Sequence, residues 1–160
     1  MENQDTAKFK ELFRANTVFF YAMIGGVLIF GLLVLLISQN GSLIGADKKL
    51  MQTFLVVNLF IAAVSVSIGE KTYRKRIALL KTSNCDLMEK LNRYREALIV
   101  FMALCEGPAI LGIIFYFLTA NKLFLILVGL VVIAMFLKRP EKSKIFNDLQ
   151  LNTEEQSWLN

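Results

Sequence analysis

One carboxylate, Glu106, stands in the middle of the apolar run 97–118 (ALIVFMALCEGPAILGIIFYFL). In a helix rising 1.5 Å per residue it lies roughly 15 Å from the polar end of that run. The hydrocarbon core of a bilayer is about 30 Å thick, so this depth is close to the midplane. An ionised, unpaired carboxylate costs several kcal/mol there and must be neutralised, paired or opened to water. A side chain in that position suits a reversible proton or cation carrier. Gly107 and Pro108 follow directly. Proline removes a backbone donor and crowds the carbonyl four residues back, so a kink is expected here, while glycine lets another helix approach closely. The expected neighbour is Asn58, which lies at similar depth in the run 51–69. Three roles for Glu106 are compatible with this placement: a structural clamp with Asn58, ion or proton handling, and contact with a partner subunit.

The rest of the chain offers little chemistry. It has no histidine, which removes the commonest general base and metal ligand. Cys85 and Cys105 have neither metal-ligand nor redox spacing. No nucleophile–base pair, phosphate-binding glycine loop or metal cluster is present, so an enzyme is not expected, nor is a cofactor. The basic run Lys71, Arg74, Lys75 and Arg76 reads first as a signal for membrane orientation. Its functional alternative is binding to anionic lipid headgroups, at about 1 kcal/mol per basic residue.

The elements that position these residues are apolar helices. Of the 160 residues, 56% are hydrophobic and 19% charged, against about 25% charged in a typical soluble domain. Four runs approach the 17–25 residues that cross a bilayer as a helix: 16–38, 51–69, 97–118 and 121–137. The first is too long for a signal-peptide core and reads as a retained span. Lys122 is expected to extend its amine to the outer surface. The turn Thr119-Ala120-Asn121 allows only an antiparallel hairpin. Of the 18 Lys and Arg residues, fifteen fall on one side of the four runs and only Lys48, Lys49 and Lys122 on the other. Basic residues stay in the cytoplasm, so both termini and the central loop are expected inside the cell membrane, most simply a bacterial inner membrane. The net charge of +5 belongs to this pattern, and nucleic acid is not an expected partner.

Residues 70–96 carry a helical stripe of Tyr73, Ile77, Leu80, Leu87, Leu91, Tyr94 and Leu98, with Asn84 filling one gap. The chain must return to the same side, and Thr82-Ser83-Asn84 is the natural turn. Ser83 with Asp86 has the spacing of a capping box. A cytoplasmic helical hairpin is expected, with Ile77 and Leu80 on Leu87 and Leu91; one amphipathic helix on the membrane surface is the alternative. Pro140 ends span 4. The tail 138–160 has an amphipathic turn at Ile145, Phe146 and Leu149, then a capping box of Thr153 and Gln156 before Trp158.

The segment Glu106-Gly107-Pro108-Ala109-Ile110-Leu111-Gly112-Ile113-Ile114 resembles the carboxylate helix of the proteolipid (c) subunit of rotary ATPases. That family places an ion-binding carboxylate mid-helix with a glycine about six residues later, and Glu106 and Gly112 match. The resemblance implies proton or sodium binding at Glu106. The chain departs from the family in lacking a glycine-rich companion helix, in its longer hairpin, and in spans 1 and 4 that flank the hairpin instead of repeating it. As a whole the chain looks like uncharacterised four-span bacterial membrane proteins in which Arg-x-Ala-Leu leads into a Glu-Gly-Pro helix; here these are Arg95, Ala97, Leu98 and Glu106 to Pro108. The expectation is an all-α, single-domain, four-span bundle in the lipid bilayer, with a second copy or a partner membrane subunit as its protein partner. Its leading specific role is proton or cation handling through Glu106 and Asn58. The rival is a non-transporting accessory protein that holds a partner with its hairpin and tail.

Overall fold

The structure is a computed structural model that describes residues 2–38, 47–83, 87–141 and 145. The described residues form four helices: α1 Glu2–Ser38, α2 Lys48–Lys81, α3 Leu87–Thr119 and α4 Leu123–Phe136. The first three are long and apolar enough to cross a membrane, and α4 is a shorter apolar helix. Helices are the form such sequences must take, because an apolar surround leaves every backbone donor and acceptor to be satisfied within the segment. The described part of the chain is therefore an all-helical bundle.

α3 is its axis: α1, α2 and α4 each pack on it. α2 runs antiparallel to α3. Phe54 stacks on Phe115 with ring centroids 4.6 Å apart. Further along, Asn58 lies beside Gly112 and Gly69 beside Phe101, and Tyr73 meets Tyr94 edge-on at 6.2 Å. α4 is also antiparallel to α3, with Phe124 against Phe115 and Val128 against Gly112. α1 runs parallel to α3: Gly31 faces Ile113, and beyond it the Ser38 hydroxyl lies 3.2 Å from that of Tyr116. Phe20 of α1 meets Phe136 of α4 at 6.1 Å. Thus the early part of α1, the hairpin end of α2 and α3, and the end of α4 share one end of the bundle.

The hairpin stripe is real. Tyr73, Ile77, Leu80, Leu91, Tyr94 and Leu98 are all buried in the same core as the apolar segments. Neither helix breaks where its sequence turns polar, and the hairpin continues α2 and α3 directly. The side chain of Leu87 and residues 84–86 lie outside the described residues, and with them Asn84, Cys85 and the Asp86 half of the expected capping box. Ser83 does something else: its hydroxyl donates to the Leu80 carbonyl at 2.8 Å and closes α2. In the tail, Ile145 is helical and fully buried, while Phe146, Leu149, Thr153, Gln156 and Trp158 lie outside the described residues.

Pro108 lies inside α3, which continues as one helix through it, and is buried. α4 begins at Leu123, two residues later than the apolar run, because the Asn121 side chain accepts from the Leu123 amide at 3.0 Å and starts the helix there. Its 14 residues rise only about 21 Å. The preceding turn is tight, and Ala120 adopts a left-handed φ of 53°.

Candidate functional site

Glu106 lies on the border between the packed and open faces of α3. Cys105 and Ala109 beside it are buried, Ala103 and Gly107 are exposed, and Glu106 itself is half-buried. A Cβ added at Gly107 would meet nothing within 4 Å. Among the described residues, no hydrogen bond or ion pair reaches the Glu106 carboxylate.

The expected juxtaposition of Glu106 with Asn58 does not form. Asn58 is 1% exposed and packs on Gly112, roughly 9 Å further along α3 at 1.5 Å per residue. The cause is register. The antiparallel pairing that stacks Phe54 on Phe115 sets Asn58 against Gly112 and leaves Glu106 nearer the polar end. The place is tight: a Cβ at Gly112 would sit 2.7 Å from Val128 Cγ2 and 3.0 Å from Asn58 Nδ2. Glycine is what allows α2, α3 and α4 to meet there. The Asn58 Oδ1 is buried with no hydrogen-bond partner among the described residues. So is the whole side-chain amide of Asn16 on α1, which the sequence marks only as the start of a span. An unpaired buried polar group costs roughly 1–3 kcal/mol, so both are weak points or polar contacts in waiting.

A second polar cluster closes the shared end of the bundle. Lys138, just past α4, folds back onto α2 and donates to both carboxylate oxygens of Glu70 at 2.9 and 2.8 Å. The Arg74 Nε donates to the same carboxylate from one turn along α2. The Lys138 amine also stands 4.8 Å from the centre of the Tyr73 ring and 5.9 Å from that of Phe101, at the range where a cation is drawn to an aromatic face. Burial pushes the Glu70 carboxyl up; the hydrogen bonds from Lys138 and Arg74 outweigh it and hold it below the usual carboxylate range. On the neighbouring side, the Arg139 guanidinium lies 5.7 Å from the Tyr21 ring of α1. This cluster was invisible in the sequence because Glu70 and Lys138 are 68 residues apart and each sits where an apolar run simply ends.

A cavity of about 350 Å³ opens beside the Glu70 cluster. The basic run expected to meet headgroups is split by the helix. Arg74 lines this cavity. Lys71 and Lys75 are exposed elsewhere on α2. Arg76 lines a different cleft of about 290 Å³ with Arg93 and Glu96. Among the described residues no group of three His, Cys, Asp or Glu is placed to hold a metal ion. No family model, curated protein or solved structure matches the chain.

Proposed function

We propose that this chain is a multi-pass accessory membrane protein whose cytoplasmic helical arm holds a protein partner. Four helices cross the bilayer, with the N-terminus, the hairpin and the tail inside. α4 completes the set despite its length. Phe124 at its start is level with Phe54 of α2 through Phe115, and Lys138 at its end meets Glu70. It thus covers the same depth as the apolar part of α2, with the bilayer thinning slightly to match. The observation that carries the accessory reading is the unbroken passage of α2 and α3 from apolar segment to hairpin with one continuous core. Such an arm is held rigidly by the membrane part and presents exposed side chains such as Leu79 and Lys75 along its length.

The test replaces Ile77, Leu80 and Leu91 together with serine in the full chain. Loss of co-purifying partner with retained membrane insertion is expected. Undiminished partner recovery would reduce the hairpin to a tether and sink the reading. Labelling of single cysteines from each side of the membrane tests the topology; modification of position 79 from outside alone would invert it.

A second reading is favoured by one observation, the absence of any protein partner for Glu106 among the described residues. In this reading the carboxylate carries a proton or cation, with a second copy or a partner subunit completing its site beside Ala103 and Gly107. Glu106→Gln keeps the shape and cannot cycle a proton. An ion flux in proteoliposomes that is abolished by this change supports transport, and a flux unchanged by it removes Glu106 from the pathway.

A further inference from the structure

The cavity beside Glu70 has the composition and the position of an anion site. One face of α2 supplies Glu70, Arg74 and Lys81, with Tyr73 beside them, and the end of α4 supplies Leu137 and Lys138. The charges do not cancel. Glu70 is engaged through both oxygens by Lys138 and again by Arg74, so one carboxylate stands among three cations. Arg74 commits only its Nε to that bond, and its side chain is 78% exposed, leaving its terminal nitrogens available to a ligand. Lys81 is exposed and forms no ion pair among the described residues. The wall between them is apolar, formed by Ile77 and Leu137. The cavity begins where the apolar run of α2 ends and extends along the hairpin, which on the membrane reading above is the level of the inner headgroups.

We propose that this cavity binds a phosphate group presented by an anionic phospholipid, held by Arg74 and Lys81 while Lys138 keeps Glu70 neutralised. Basic pockets between helices on the cytoplasmic side are the usual form of such sites. The proposal differs from general attraction to a basic surface, because it uses Arg74 and Lys81 and leaves Lys71 and Lys75 out. It rests on the membrane reading, which alkaline extraction of the wild-type chain from membranes tests separately.

The experiment follows thermal unfolding of the full chain in neutral detergent during titration with dioctanoyl phosphatidylglycerol, dioctanoyl phosphatidylcholine or glycerol 3-phosphate. The phosphatidylglycerol is expected to raise Tm saturably, and the phosphatidylcholine to leave it unchanged. Arg74→Gln and Lys81→Gln should each weaken the midpoint about fivefold, the contribution of one basic side chain near an anionic surface. Lys71→Gln with Lys75→Gln should leave it in place. Equal weakening by the second pair would overturn the cavity as the site, as would a double Arg74→Gln, Lys81→Gln chain that binds like wild type. Glycerol 3-phosphate acting as strongly as the lipid would overturn the lipid as the source of the phosphate.

Discussion

Glu70 and Asn58 lie on the same helix, roughly 18 Å apart at 1.5 Å per residue, and the bundle treats them in opposite ways. At the end of the apolar segment, Glu70 draws in Lys138 from across the fold and Arg74 from its own helix, and Tyr73 and Phe101 flank the lysine. A charged group has been given more partners than it needs. At the centre, Asn58 has been given space instead: Gly112 carries no side chain, so the amide fits, yet Oδ1 finds no donor among the described residues. Polarity at the end of the apolar segment is satisfied by long flexible cations. Polarity at the centre is tolerated by shape. Glu106 belongs to neither pattern, since it has no partner among the described residues and one open flank.

The most damaging way to break this contrast is Gly112→Ala. The new methyl would press on Val128 and Asn58 together, and overpacking of this kind costs about 1–3 kcal/mol. A fall of several degrees in Tm in detergent is expected. The same change at Gly107, where a Cβ meets nothing, should raise stability by up to about 1 kcal/mol through helix propensity alone. Like signs for the two substitutions would contradict the packing described at Gly112.

Glu70→Gln tests the other end. Loss of the double ion pair should lower stability at neutral pH by about 1 kcal/mol, near the top of the range for partly exposed pairs. The pH dependence has a definite sign. The folded-state pKa of Glu70 is depressed, so its stabilisation is present above the ordinary carboxylate pKa and disappears as pH falls through the lowered value. The gap in Tm between wild type and Glu70→Gln should therefore be full at pH 7 and close in acid. A gap that stays undiminished as the solution is acidified would assign the effect to packing.

Asn58→Leu sharpens the comparison at the centre. It removes the unpaired oxygen at similar volume and is expected to raise stability by about 1 kcal/mol or less. A drop in stability would show that Asn58 makes a polar contact outside the chain. The smallest effect is expected at the turn, where Ala120→Gly relieves a left-handed residue and should add somewhat under 1 kcal/mol. Thermal unfolding measures each of these changes.

The helices themselves were legible in the sequence, since continuous apolar runs admit no other form. The hairpin stripe was equally legible: the spacing of Tyr73, Ile77, Leu80, Leu91 and Tyr94 is a local property, and all five are buried. Asn58 was recognisable as a buried polar residue from depth alone. Its partner was not, because depth counted from the end of each run assumes level, upright helices. A shift of register between α2 and α3 is enough to exchange Glu106 for Gly112. The pairing of Glu70 with Lys138 depends on how α4 lies against α2, and nothing in either local sequence encodes that.

The central position of α3 also bears on how the chain is made. α2 and α3 are neighbours in sequence, as are α3 and α4, so each can pair as it emerges from the ribosome. α1 cannot: its packing surface lies on α3, around Ile113 and Tyr116. During synthesis the face of α1 that carries Gly31 and Ser38 therefore stays uncovered until most of the chain has been translated. That interval is when the apolar surface of α1 is most open to its surroundings.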